Sequence, residues 1–246
     1  MTGNASDICA DDASLGVELA ERGYIHIPPA RMKHLLGQDV LAGWPGFAQS
    51  WDALERDGFM KDGGAYRRRR HAVFRGDGPA IRRQPDRPHY QETAFNALNG
   101  GVERWFAPVS SEVVSNPLTR RTLSMFSTLF DRCRPGGEPS PWEIEMHQFR
   151  IEASGRESGL PTPEGMHRDG VDWVVMMFVA RRNAAGATTS IVDEAGRLVA
   201  QVQMTQPLEA IALDDRRFRH GVSPLTVQDA AETGIRDVLV LTYASA

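Results

Sequence analysis

The chain has 246 residues, 41% hydrophobic and 24% charged, with a formal net charge of −4 at pH 7. That length supports a core large enough to need no disulfides, and the acidic balance gives no general attraction to nucleic acid or an anionic membrane. The polar, acidic start and the lack of any apolar run near the roughly 20 residues that span a bilayer argue against secretion and membrane insertion. Cys9 and Cys133 are far apart and fit no zinc or redox spacing, so they read as reduced thiols of a cytoplasmic protein.

Residues 1–13 read as a flexible tail ahead of a single domain over 14–246. Ser14 is placed to cap a short helix that runs to Arg22 and ends at Gly23. Tyr24 to Ile27 alternates as a strand until Pro28 stops it. Residues 31–60 have helical character, broken near Gly43 to Gly46. Residues 61–90 read as irregular and strongly basic, with Arg67 to Arg70 in one run and Arg75, Arg82, Arg83 and Arg87 beyond it. The spacing of Val114, Leu118, Leu123, Phe126, Leu129 and Phe130 predicts a helix over 111–133, and a loop rich in Pro and Gly follows.

From Trp142 onward the pattern changes to strands: 143–151, 171–180, 188–192, 198–204, 208–213 and 238–243. Short strands at this spacing suggest an all-β barrel or jelly roll. The chain thus divides into a helical, loop-rich part over 14–140 and a barrel core over 141–246.

The residues that carry chemistry are His167-Arg168-Asp169 and, well downstream, His220. Two imidazoles and one carboxylate on one face of a metal leave the opposite face open, the arrangement of non-haem Fe(II) oxygenases. His167 and Asp169 are two apart, so on extended backbone both point to one side. The second histidine must then come from another strand. Of the seven histidines only His167 has a carboxylate two positions later. Such a pair arises readily by chance, so its place in a glycine-flanked turn before an apolar strand adds weight. Arg236 opens the last strand and shares a face with Val238, Val240 and Thr242. If that face is the interior, its buried cation needs an anion, such as the distal carboxylate of 2-oxoglutarate. A rim salt bridge to Asp214 or Asp215 is the alternative.

The runs "HRDGVDWVV", "DDRRFRHGVSPL" and "RDVLVLTY", with "YRRRR", "NALNGGVERWFAP" and "HQFRI" upstream, resemble the bacterial 2-oxoglutarate/Fe(II) dioxygenases that include L-isoleucine 4-hydroxylase. The resemblance spans roughly residues 20–243. It implies a mainly β fold with flanking helices, a double-stranded β-helix (jelly-roll, cupin-like barrel). It also implies Fe(II) held by His167, Asp169 and His220, 2-oxoglutarate anchored by Arg236, and O2 as the second cosubstrate. The substrate it implies is a free aliphatic L-amino acid of the isoleucine, leucine or methionine kind, with release of succinate and CO2. One departure is visible: the family tends to carry Gly-Gly after the Asn of its "RN" segment, whereas this chain has Asn183-Ala184-Ala185-Gly186-Ala187-Thr188. If that segment borders the site, Thr188 becomes a candidate contact.

Other candidate contacts with cosubstrate or substrate are Gln148 and Arg150, which share one strand face, and Arg68 and Arg70 of the basic run. No catalytic residue beyond the metal ligands is expected. Trp105, Phe106 and Trp173 read as core, and His26, His34, His71 and His89 carry no assigned role. The rival readings are the same chemistry on a modified or carrier-tethered amino acid, a non-catalytic cupin-like binder of a metal or small acid, and a nucleic-acid module built on Arg67 to Arg70. Nucleic acid and membrane are not expected as partners, and a homodimer is left open.

Overall fold

A computed structural model describes residues 5–134 and 140–246, with backbone alone over 5–13. Helix α1 (Ala5–Arg22) is followed by strand β1 (Tyr24–Ile27), helices α2 (Pro29–Leu36), α3 (Gln38–Leu41) and α4 (Trp44–Gln49), and a 3-10 turn over Ser50–Ala53. Strands β2 (Glu55–Arg56), β3 (Arg67–Asp77) and β4 (Ala80–Arg83) come next, then helices α5 (Ser111–Ser115) and α6 (Pro117–Arg132). The remainder is β: β5 (Trp142–Ala153), β6 (Trp173–Arg182), β7 (Ala184–Gly186), β8 (Thr189–Val192), β9 (Leu198–Val202), β10 (Ala210–Asp214), β11 (Arg219–Val222), β12 (Leu225–Val227) and β13 (Gly234–Ser245).

An eight-stranded antiparallel sheet runs in the order β1-β10-β6-β13-β5-β3-β2, with β4 paired to β3. A three-stranded sheet (β11-β8-β9) and a two-stranded one (β12-β7) complete the β structure. This is the expected jelly-roll arrangement. The eight-stranded sheet has an apolar helix-side face, where Phe74 of β3, Ile144 and Met146 of β5, Val175 and Met177 of β6, and Leu239 and Leu241 of β13 share one core with α1, α2 and α6. Side chains alternate across a strand, so the residues between these point the other way.

The sequence divides less cleanly than expected. β1 and β3 belong to the large sheet although both precede residue 140. The basic run is not irregular: Arg67–Asp77 is an eleven-residue strand paired along β5. Ser14 lies inside α1, which begins at Ala5, rather than capping a helix after a tail. The helix over 111–133 is broken in two, because Pro117 disfavours helical geometry at Asn116. Asn116 instead caps α6 by accepting from Leu118 N at 2.9 Å. Trp173 is buried, stacked 4.8 Å from Phe130, whereas Trp105 is 59% exposed and forms no part of the core. No helix among the described residues is long and apolar enough to cross a membrane.

Candidate metal centre and its cavity

His167 and His220 face each other across an isolated antiparallel bridge, each N–H donating to the other's carbonyl at 2.9 Å. Opposed residues present their side chains on one side, so the two rings sit 4.5 Å apart between centroids. Asp169 joins them: its Oδ1 lies 3.8 Å from His167 Nε2 and its Oδ2 3.6 Å from His220 Nε2. The turn that carries His167 and Asp169 is bounded by Gly165 and Gly170, both with φ of +81°, a conformation that favours glycine. Asp215 fastens it by accepting backbone N–H bonds from Asp169, Gly170 and Val171 at 3.1, 2.8 and 3.2 Å.

These residues fit a divalent metal. His167 Nδ1 lies 3.0 Å from the Gly165 carbonyl, which assigns the ring proton to Nδ1 and leaves the Nε2 lone pair toward the other two side chains. Burial disfavours charge on both rings. It drives His220 down to about 4, while Asp169 and Glu164 outweigh it at His167 and raise that pKa. A polar neighbour supports the carboxylate: Gln91 Nε2 donates to Asp169 Oδ1 at 3.0 Å, and Gln91 Oε1 accepts from Asn96 and Arg104. Gln91 and its partners escaped the sequence reading, since nothing local in that loop signals contact with a turn far downstream.

The three side chains open onto a cavity of about 300 Å³ between the sheets, which Arg236, Val238, Val240 and Thr242 of β13 also line. Arg236 is 4% exposed, and its Nε and Nη2 meet no hydrogen-bond partner. Burial, with Arg181 nearby, lowers its pKa to about 10. The rim salt bridge is not formed: Asp214 pairs with Arg216, and Asp215 holds the turn. A buried guanidinium with free donors suits a carboxylate ligand.

Other expected contacts point elsewhere, and strand parity explains each. On β5 the cavity is lined by Glu143, Glu145, His147, Phe149 and Ile151. Gln148 and Arg150 lie on the opposite, helix-side face, with Gln148 bonded to Ser50 Oγ and Arg150 paired with Asp237 and Asp52. On β3 the inward residues are Arg67 and Arg69. Arg68 is held by Glu152 and the Leu54 carbonyl, and Arg70 by the carbonyls of Pro108 and Ala53. Thr188 is not in the cavity wall, nor is any residue of 183–188, so that segment does not border the site. Thr188 is tied to Ser223 instead.

A second cluster that the sequence did not reveal gathers His71, His89, Glu145 and His147, with potential ligand atoms within 4.8 Å of one another. Glu145 Oε2 is 2.5 Å from His89 Nδ1, 3.3 Å from His147 Nε2 and 3.4 Å from His71 Nε2. Its electrostatics differ from those of the first cluster. Arg69 Nη2 lies 2.8 Å from His147 Nδ1, and a guanidinium can only donate. His147 therefore carries its proton on Nε2 and offers a donor to Glu145, not a lone pair to a cation. Burial, followed by the charge of Arg69, pushes His147 well below its usual pKa, and burial lowers His89 too. Burial alone would raise Glu145, but the three imidazoles hold it well below the usual carboxylate range. The cluster is a charged carboxylate beside His89 and His147, two rings that burial keeps neutral.

The 2OG-Fe dioxygenase family model matches residues 48–242, and the chain belongs to that family. Fe(II), 2-oxoglutarate and O2 are the cofactor and cosubstrates that this membership implies. The chain is 24% identical to a 3(1)-hydroxy-L-isoleucine 4-dioxygenase of Pantoea ananatis over 157 residues, a match that covers 63% of this chain and 63% of that enzyme. Among solved structures it resembles a bsmA homologue from Methylobium petroleophilum PM1, with 38% identity, a TM-score of 0.87 and coverage of 96% of this chain and 93% of that one. The structure of IDO from Bacillus thuringiensis shares the fold at 18% identity, with a TM-score of 0.79 over 96% of this chain and 99% of the other.

Proposed function

We propose that the protein hydroxylates a free aliphatic L-amino acid in an Fe(II)- and 2-oxoglutarate-dependent reaction that releases succinate and CO2. The observation that carries this reading is that His167, Asp169, His220 and the partnerless donors of Arg236 all line one cavity. His167 Nε2, His220 Nε2 and an Asp169 oxygen would hold the iron, and Arg236 would pair the distal carboxylate of 2-oxoglutarate. Bound iron supplies activation of O2 coupled to oxidative decarboxylation of 2-oxoglutarate, one oxygen atom entering succinate and the other the substrate hydroxyl. The chain's own part is to fix the three ligands through the His167–His220 bridge and Asp215, to orient Asp169 through Gln91, and to keep the reacting carbon in an apolar wall of Val238, Val240 and Met176. The Pantoea relative, which by its name acts on a hydroxyisoleucine, supports an aliphatic amino acid as the substrate class. Each of Arg67 to Arg70 makes at least one bond within the protein, which favours the enzyme reading over a nucleic-acid module.

The test is succinate formation by anaerobically Fe(II)-loaded protein given 2-oxoglutarate, O2 and each of the twenty amino acids singly. Stimulation by one or a few aliphatic amino acids, lost in His167→Ala, is the expected result. Slow turnover that no free amino acid stimulates would move the substrate to a modified or tethered amino acid. Absence of turnover in protein shown to hold iron would overturn the enzyme reading in favour of a binding protein.

A further inference from the structure

The end of the cavity away from Arg236 is walled by three inward arginines, Arg67, Arg69 and Arg104, all under 7% exposed. Their donors can be followed one by one. Arg69 is the most engaged: Nη2 goes to His147, Nη1 is 3.7 Å from Asp57, and its guanidinium carbon lies 3.7 Å from the Phe106 ring centroid and 4.5 Å from that of Phe149, though its Nε is buried with no partner. Arg67 gives Nε to Asp57 at 2.7 Å, but its Nη2 is buried with no partner. Arg104 gives Nη2 to Gln91 at 2.9 Å, but its Nε is buried with no partner. The nearby anions are committed, since Asp57 serves both Arg67 and Arg69 and Glu145 serves the imidazoles. Glu164 lines the cavity with them, so formal charge is not in deficit, but no acceptor within the protein meets Arg67 Nη2 or Arg104 Nε. A buried donor without an acceptor is costly, and a ligand carboxylate would supply an acceptor to each.

One carboxylate in the same cavity has the opposite deficit. Glu164 Oε2 is buried and bonded to nothing, while Glu164 Oε1 lies 3.6 Å from His167 Nε2. Glu164, Arg67 and Arg104 line the same cavity. Arg236 is a separate receiver. Arg67 and Arg236 are both in register with Ile151, one on each side of β5. That puts them two strand spacings apart, about 10 Å. A reaction with two carboxylate-bearing reactants has use for two receivers.

We propose that Arg67 and Arg104 receive the α-carboxylate of the substrate and Glu164 its ammonium group, so that the site selects a free amino-acid zwitterion and rejects esters, thioesters and peptide-linked forms. The assignment rests on the amino-acid reading above and makes it sharper. A carrier thioester has no carboxylate to give Arg67 and Arg104, so it would leave both donors unmet.

The test compares L-isoleucine with its methyl ester, with 3-methylpentanoate (no amine) and with 2-methylbutylamine (no carboxylate), using the Fe(II)-loaded enzyme at saturating 2-oxoglutarate. Loss of a charge-assisted bond predicts that each analogue loses about tenfold or more in kcat/KM. Arg67→Met is expected to raise KM for isoleucine about tenfold or more, to keep KM for 2-oxoglutarate within about twofold, and to erase the preference for acid over ester. Glu164→Gln is expected to erase the preference for isoleucine over 3-methylpentanoate. The clamp alone is overturned if the wild-type enzyme accepts the ester as well as the acid, or if Arg67→Met raises KM for 2-oxoglutarate instead. If neither isoleucine nor any analogue accelerates succinate formation, the amino-acid reading itself fails and the clamp with it. Should Arg67→Met not fold, the wild-type analogue series decides the matter unaided.

Discussion

The two ends of the cavity are built by different means. At the metal end, three side chains come from short segments, His167 and Asp169 two residues apart in a glycine-bounded turn and His220 directly opposite, fixed by backbone hydrogen bonds. At the arginine end, Arg67 and Arg69 come from the start of β3 and Glu145 and His147 from within β5, while Arg104, Gln91 and His89 come from a loop, and long-range side-chain bonds hold them. The metal end has two imidazoles and a carboxylate with lone pairs converging, which attracts a cation. The arginine end has buried guanidinium donors that meet no acceptor, which attracts an anion. The second histidine cluster tests the distinction, because similar residue types near Arg69 become donors where near Asp215 they remain acceptors. What a histidine–carboxylate cluster binds is therefore set by its neighbours as much as by its members.

The largest effects should come from the metal end. His167→Ala or His220→Ala is expected to reduce succinate formation to roughly a thousandth or less, with iron content falling in parallel, since each removes one of three ligands. A variant that kept near-normal turnover would break the assignment. Arg236→Met should act on one cosubstrate only, raising KM for 2-oxoglutarate by about ten- to a hundredfold. It also carries an opposite sign in stability. The ligand-free protein should melt higher than wild type, because a buried cation without a partner is replaced by an apolar chain of similar length. The rise in melting temperature that 2-oxoglutarate gives the wild type should disappear. Gln91→Leu tests whether the two ends communicate: it leaves the ligands intact but frees Asp169 Oδ1, and about a tenfold to hundredfold loss of metal affinity is expected. Unchanged affinity would separate the two ends.

The metal end was legible in the sequence because its geometry is local. A two-residue spacing on extended backbone fixes the relation of His167 to Asp169, and only His220 required a partner from elsewhere. Arg236 was legible because the residues sharing its face, Val238, Val240 and Thr242, sit on a strand whose alternation could be read. The arginine end was not legible for two physical reasons. Arg67 to Arg70 looks like a solvated run, and only Asp57, β2 and β5 around it turn it into a strand with two residues buried. The inward face of β5 was also ambiguous. Ile144 and Met146 mark one apolar face, but the helices cover that face, so the polar residues continuing it, Gln148 and Arg150, end under helices rather than in the cavity. That outward placement is open to test. Arg150→Ala strands the buried Asp237 carboxylate and should cost about 3–5 kcal/mol in stability, yet leave KM for both reactants within about twofold. A large change in either KM would return Arg150 to the cavity.

The smallest expected effect concerns pH and belongs to the arginine end. His89 and His147 are held neutral in the folded protein, their pKa values lowered chiefly by burial, while in the unfolded chain they titrate near 6.5. Below pH 6.5 the unfolded state binds more protons, so stability is complete above that pH and falls as acid is added. Each histidine contributes a slope of up to about 1.4 kcal/mol per pH unit, continuing down to its own folded pKa. Glu145 adds nothing to this window, because its folded and unfolded forms are both ionised above about pH 5. His220 of the metal centre is lowered as well, so the arginine end has to be isolated by difference. Urea unfolding of wild type and His89→Gln at pH 7.5, 6.5 and 5.5 does this. The variant begins less stable, having lost a bond to Glu145, but its stability should fall less steeply from pH 6.5 to 5.5 than that of the wild type. Parallel slopes would mean that His89 takes up its proton in the folded protein as readily as in the unfolded chain, with Glu145 balancing the charge.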